Sequence, residues 1–153
     1  MRLIACGKVL NLVFISSLVI ACSSEPVAPP PLAFNVVANT QSNNGGLFYF
    51  VVRGANEKQF MQDSYQEVAG KVFADPPEAN SLGVFSIVPG RVQECKISPP
   101  AQGTVALYFL LTQPGAQWKK LLSTPLANKY TINVTATNQV EISEGKPWYL
   151  SWF

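Results

Sequence analysis

The chain has 153 residues, with eleven basic residues against nine acidic ones and no histidine. The missing imidazole removes the commonest general base and metal ligand, and with it Ser-His-Asp and Cys-His nucleophile arrangements. Arg2 and Lys8 account for the small positive excess; beyond them the charges balance and no basic cluster marks a nucleic-acid footprint. No phosphate-loop or dinucleotide fingerprint is present. Carboxylate-only or Ser-Lys chemistry stays open, and an envelope enzyme would need a cleft where Asp or Glu side chains converge; with the acidic residues scattered, the expectation is a non-enzyme, with no catalytic or metal residues, no bound cofactor and no small-molecule substrate.

The first residues read as an export signal: a cationic start, an apolar run over 9–20, and small Ala21 before Cys22. The run is shorter than the roughly 20 apolar residues a spanning helix needs, so cleavage is expected. Val19-Ile20-Ala21-Cys22 resembles the lipobox of bacterial lipoproteins, in which the cysteine thiol takes a diacylglyceryl group and the peptide is cut before it. Residues 1–21 would then be a signal peptide, and Cys22 would carry the diacylglyceryl and N-acyl chains. Each buried methylene contributes about 0.8 kcal/mol, so two or three chains anchor durably. Ser23 follows Cys22; in the sorting rule that the resemblance brings with it, an aspartate there favours the inner membrane. The outer membrane, periplasmic face, is expected. Leu3-Ile4-Ala5-Cys6 lacks a preceding apolar run and is discounted.

Residues 22–31 combine the anchor with a proline-rich segment, Ser23-Ser24-Glu25-Pro26-Val27-Ala28-Pro29-Pro30-Pro31. Prolines lack a donor and restrict their neighbours, so an extended tether of about 3 Å per residue is expected. With Cys6 removed and Cys22 acylated, Cys95 is left alone and reads as a small buried hydrophobe.

Residues 32–153 are expected to form one β-rich domain. Leu32–Ala38 and the runs over 47–53, 82–88 and 91–97 read as strands, with Pro89-Gly90 a turn between the last two. Between the second and third lies a helical segment over 57–69. Asn56 and Gln59 form a capping pair, Met61, Tyr65, Val68 and Ala69 recur at helical spacing, and Gly70 supplies a stop. The continuous apolar run over 105–111 is expected to be a strand covered on both faces. Residues 116–122 are ambiguous between a helical turn and a short strand. Over 129–137 Tyr130, Ile132, Val134 and Ala136 alternate with polar residues, as in a half-buried strand, and 139–142 is a short final candidate. The aromatic residues Trp148, Tyr149, Trp152 and Phe153 suggest a core strand or tucked segment over an exposed contact.

This order of features resembles TssJ, the outer-membrane lipoprotein family of type VI secretion systems, over most of the chain from Phe34 to about Val140. The stretches that carry the resemblance are Asn39-Thr40-Gln41-Ser42-Asn43-Asn44-Gly45-Gly46, Gln59-Phe60-Met61-Gln62-Asp63-Ser64-Tyr65, Ile87-Val88-Pro89-Gly90, Ala106-Leu107-Tyr108-Phe109 and Trp118-Lys119. Val52-Arg53-Gly54 stands where the family usually has a Tyr-x-Leu-like step, Lys119 where it has arginine, and the Trp-rich 148–153 is a further departure, as in a divergent member.

The resemblance implies a transthyretin-like β-sandwich of six to eight strands with a short inserted helix. It also implies a structural role: tying the periplasmic part of a TssM-like inner-membrane protein to the outer membrane through a lipid anchor. The partner contact would fall on Asn39, Thr40, Gln41, Ser42, Asn43, Asn44, Gly45 and Gly46. From the residues alone, those same positions also read as a solvated turn rich in Asn and Gly to allow positive φ. The alternative function is an envelope lipoprotein that binds or inhibits through its loops, recognising a glycan, a peptide or an enzyme.

Overall fold

A computed structural model describes residues 30–100, 104–122 and 124–145. Eight strands form two four-stranded sheets. One sheet is ordered β4-β1-β7-β8 and is built from β1 (Leu32–Ala38), β4 (Val92–Ile97), β7 (Lys129–Val134) and β8 (Val140–Glu144). The other is ordered β3-β2-β5-β6 and contains β2 (Phe48–Ala55), β3 (Ser81–Ile87), β5 (Thr104–Leu110) and β6 (Lys119–Leu121). All pairings are antiparallel except β1 with β7.

The main core lies between the sheets. β1 contributes Leu32, Phe34, Val36 and Ala38; β2 contributes Phe48, Phe50 and Val52; β7 contributes Tyr130, Ile132 and Val134. Period-2 alternation sends these residues inward because each strand's other face is solvent or a second layer. Phe50 is fully buried and packs against Phe34, Phe109 and Phe85 at ring centroid distances of 5.3, 5.2 and 6.0 Å.

The run over 105–111 is covered on both faces, as its unbroken apolar sequence predicts. Val105, Leu107, Phe109 and Leu111 enter the main core, whereas Ala106, Tyr108 and Leu110 enter a second cluster with Val51, Ala55 and Val68. That second layer exists because the insertion after β2 folds over the outer face of its sheet.

The insertion departs from the single helix expected over 57–69. It is two short helices, α1 (Glu57–Gln62) and α2 (Tyr65–Lys71). Asn56 does cap α1, its side chain accepting the Gln59 N–H at 2.8 Å. Ser64, however, begins a new helix: it forms a reciprocal capping box with Glu67, whose carboxyl accepts from both the Ser64 N–H and hydroxyl. Those hydrogen bonds hold the Glu67 carboxyl below its ordinary range. A cap in mid-segment competes with helix continuation, and here it wins because the turn at Asp63 lets both helices lie against the sheet. Gly70 is not a stop, since α2 runs on to Lys71.

Two other expectations resolve. Residues 119–121 are strand, pairing with β5 through Ala106, Leu107 and Tyr108. β7 ends at Val134, so Ala136 is exposed in the β7–β8 turn instead of facing inward. There the Thr135 N–H donates to Gln139 O and the Asn138 N–H to Thr135 O; Asn138 takes φ 62°. A left-handed asparagine ends the alternation, and nothing in the strand pattern foretells it.

Replacing Phe50 by Ala should cost about 3–5 kcal/mol, because it opens a cavity among three aromatic rings. Urea unfolding followed by circular dichroism measures it.

A candidate interaction surface at the loop end

β1 is parallel to β7 and antiparallel to β4, so the topology collects four connections at one end of the sandwich: 39–47, 88–91, 111–118 and 135–139. The segment that follows the predicted tether enters at Leu32, at the opposite end. Seven residues of β1 put roughly 20 Å between them. Cys22 itself, and the tether up to residue 29, lie outside the described residues, as do residues 146–153.

The eight positions of the expected contact loop divide into two groups. Ser42 and Asn43 are buried, and Asn39, Thr40, Gln41, Asn44, Gly45 and Gly46 are exposed. The Ser42 hydroxyl lies 2.9 Å from Val134 O and 3.0 Å from Thr135 O, which ties the loop to the end of β7. Asn43 uses its whole amide. Its Oδ1 accepts the Thr112 N–H at 2.7 Å, and its Nδ2 donates to Leu47 O at 2.9 Å and Gly46 O at 3.2 Å. The Asn43 N–H donates to Asn138 Oδ1 at 2.7 Å, while Asn138 Nδ2 donates to Gln113 O at 3.1 Å. Three connections are thus joined through two asparagine side chains.

The local sequence explains the shape. Asn43, Asn44 and Gly45 take φ 51°, 56° and 75° in succession, a left-handed path that Asn and Gly tolerate best. Asn39 Oδ1 accepts the Gln41 N–H at 3.0 Å, bending the chain out of β1. Gly90 (φ 78°) donates its N–H to Ala38 O at 2.9 Å, and a Cβ there would approach the Thr40 methyl to 2.9 Å. The expectation of a solvated Asn-Gly turn with positive φ therefore holds for its backbone. Its buried half acts as a rivet, and the exposed half is presented on a fixed platform.

Beside the loop, Leu47 (46% exposed) leads into a hollow of about 310 Å³ lined also by Tyr49, Phe73 and Leu111. The Phe73 side chain is 71% exposed and meets Tyr49 edge-on at 5.0 Å. The rim thus joins polar amides to an apolar floor.

The Trp118-Lys119 pair serves the insertion. Trp118 packs on Tyr65 and Tyr108 at 5.3 and 5.9 Å. Lys119 Nζ donates to Phe60 O at 2.6 Å and Asp63 O at 2.8 Å, satisfying carbonyls at the end of α1. Arg53, which takes the place of an expected Tyr-x-Leu-like step, is buried under the helices. It pairs with Glu78 at 2.8 Å and Asp63 at 3.5 Å, and among the described residues its Nε has no hydrogen-bond partner. Tyr108 donates its hydroxyl to Asp63, and burial together with that hydrogen bond pushes the phenol well above its ordinary pKa. Sequence reasoning singled out Arg53 only as a departure. Its setting in an otherwise apolar strand signals a buried charge that needs partners, but Asp63 and Glu78 are found only through the fold.

Among the described residues no three Cys, Asp or Glu side chains converge as metal ligands. Cys95 is buried in the main core, as expected of a small hydrophobe, and burial pushes its thiol up to about 11.

Comparison with known proteins fits the geometry. The family model described as IglE, N-terminal domain, matches residues 49–134, more than half of the chain. The chain belongs to the IglE N-terminal domain family. No curated protein matches its sequence. Among solved structures, the type VI secretion lipoprotein TssJ1 from Pseudomonas aeruginosa is 13% identical with a TM-score of 0.58, the match covering 76% of this chain and 97% of that one. Serratia marcescens Lip, a membrane-bound component of the type VI secretion system, is 11% identical with a TM-score of 0.60 over 76% of this chain and 99% of its own. A chain of a type VI membrane complex is 12% identical with a TM-score of 0.51, covering 74% and 98%. At these identities the likeness is one of fold: a mostly β sandwich of two four-stranded sheets with few helices.

Asn43→Ala should cost about 1–3 kcal/mol by stranding buried amide and carbonyl groups, whereas Asn44→Gly should be near neutral, because its side chain is exposed and glycine accepts the same φ. Thermal melts separate the two, and amide exchange over 39–47 should quicken only in the first. For Cys95 the folded pKa of about 11 exceeds the reference 9.0, so its stabilising contribution is whole below pH 9 and is lost as pH rises through 11. Melts of the protein and Cys95→Ala across that range should converge in alkali, and the native thiol should resist maleimide at neutral pH.

Proposed function

We propose that this protein is a lipid-anchored structural component of a type VI secretion membrane complex, a divergent relative of TssJ that links the periplasmic part of a TssM-like inner-membrane protein to the outer membrane. The observation that carries the reading is geometric: the predicted anchor joins the sandwich at Leu32, and the riveted loop 39–46 projects from the other end. Cys22 would bear the lipid, residues 23–31 would set the domain off the bilayer by up to roughly 30 Å, and the exposed amides of Asn39, Gln41 and Asn44 would face the periplasm. Membership in the IglE N-terminal domain family and a fold shared with secretion lipoproteins support the assignment.

Tethering explains how a modest surface suffices. Confinement to a membrane raises the effective concentration for a partner reaching across the periplasm, so the loop contact adds to an anchor that is already in place. Pre-organisation lowers the entropy cost of docking, since the hydrogen bonds of Asn43 and Ser42 fix the loop before the partner arrives. The Leu47–Phe73 hollow offers an apolar anchor point next to those amides.

Cys22→Ser should move the protein from the membrane to the soluble fraction and abolish assembly of the complex. Gln41→Arg combined with Leu47→Arg, both at exposed positions, should leave the melting temperature unchanged and weaken capture of the partner's periplasmic part by about tenfold or more. Undiminished capture by the double variant would remove the loop from the interface.

A further inference from the structure

One peptide group stands between the insertion and the loop. Leu111 and Thr112 follow the last residue of β5, and the trans peptide that joins them points its C=O and its N–H to opposite sides. The Tyr65 hydroxyl donates to the Leu111 carbonyl. The Thr112 N–H donates to Asn43 Oδ1 at 2.7 Å. The register between β2 and β5 stops at Tyr49 with Leu110, one residue short of this group.

We propose that Tyr65 is a positioning residue for the loop over 39–46, and that the α1–α2 insertion sets the shape of the loop end through it. The use of this coupling in partner docking rests on the function proposed above; the coupling itself does not. Both ends of the connection are fixed. Tyr65 is the first residue of α2, where the Ser64–Glu67 capping box holds the start of the helix and Trp118 meets the phenol ring edge-on at 5.3 Å. Just before it, Asp63 takes Arg53 and the Tyr108 hydroxyl, which seats the turn between the helices on the sheet. On the loop side Asn43 Nδ2 donates to Leu47 O at 2.9 Å and the Asn43 N–H to Asn138 Oδ1 at 2.7 Å. A displacement of α2 therefore either breaks the Tyr65 bond or drags the peptide, and the Asn43 amide with it.

Hydrogen bonds in series across one peptide polarise each other, so a donor on the Leu111 carbonyl strengthens the Thr112 bond to Asn43. Burial holds the Tyr65 phenol above its ordinary pKa, which keeps its proton in place at neutral pH. The clamp also forms part of the wall of the hollow beside Leu47, since Tyr65, Leu111 and Thr112 all line it. Asn43 ties the Leu47 lip of that hollow to the end of β5, and Tyr65 ties the end of β5 to α2. The apolar hollow and the amide rim are thus held by the same three bonds.

The test uses the full chain and Tyr65→Phe, which keeps the ring beside Trp118 and removes only the hydroxyl. Amide exchange at Thr112 and over 44–47 should quicken about fivefold, the factor that one ordinary hydrogen bond supplies. Ile142→Val, a comparably mild loss on β8, should leave those amides as they are. In an Asn43→Ala background Tyr65→Phe should add nothing further over 44–47, because the connection is already cut. Loop exchange indifferent to Tyr65→Phe would overturn the proposal. So would an equal quickening in Ile142→Val, which assigns the effect to global stability, or the same fivefold gain in the Asn43→Ala background, which bypasses the peptide. If Asn43→Ala folds poorly, the comparison of Tyr65→Phe with Ile142→Val decides alone. No partner enters this measurement, so its outcome is separate from that of capture by the loop.

Discussion

The structure depends on β1 being an interior strand that is hydrogen-bonded on both sides, antiparallel to β4 and parallel to β7. Parallel pairing demands a long crossover, and here nearly the whole domain lies between the two strands. The consequence is polarity. One end of β1 is fixed to whatever precedes Leu32, the other to the loop at Asn39, and neither can shift register without turning Phe34 and Val36 out of the core. One buried strand therefore sets the distance between the segment that enters at Leu32 and the loop that leaves at Asn39.

The second layer is the less conventional half of the design. Burying Arg53 and Tyr108 under α1 and α2 is costly unless their polar atoms are paired, and Asp63 and Glu78 supply that pairing from the insertion itself. A buried ion cluster of this kind adds little net stability, because a hydrophobic replacement often does as well. The arrangement specifies where the helices sit on β2 and β5, and with them the Tyr49–Phe73 wall of the hollow beside Leu47. Shape at the loop end is therefore tied to an ion cluster on the outer face of the sheet.

Much of this architecture is legible in the chain because it rests on period and punctuation. The strict alternation of Tyr130, Ile132 and Val134, the unbroken run of β5 and the Pro89-Gly90 turn all report local constraints that tertiary contacts only reinforce. The misreadings have a common source. Ser64 is both a tolerable helix interior residue and a strong cap, and only the sheet surface under α1 and α2 decides between them. Ala136 fits an inward position until Asn138 turns left-handed. For the loop, residue type revealed positive φ but could not separate Asn43 from Asn44, whose backbones are alike; the difference is that Thr112 comes within reach of one side chain and not the other.

That difference also explains how a loop rich in Asn and Gly is held in one shape. Such residues ordinarily lose much conformational entropy on binding, which weakens the contact. Here the loss is taken during folding, because the two buried side chains, Ser42 and Asn43, bond to the ends of β7 and β5 and to the 135–139 turn. The exposed amides are left on a fixed backbone, Asn39 Oδ1 already engaged by the Gln41 N–H and the side chains of Gln41 and Asn44 turned to solvent. The cost of ordering the loop is thereby merged with the stability of the sandwich.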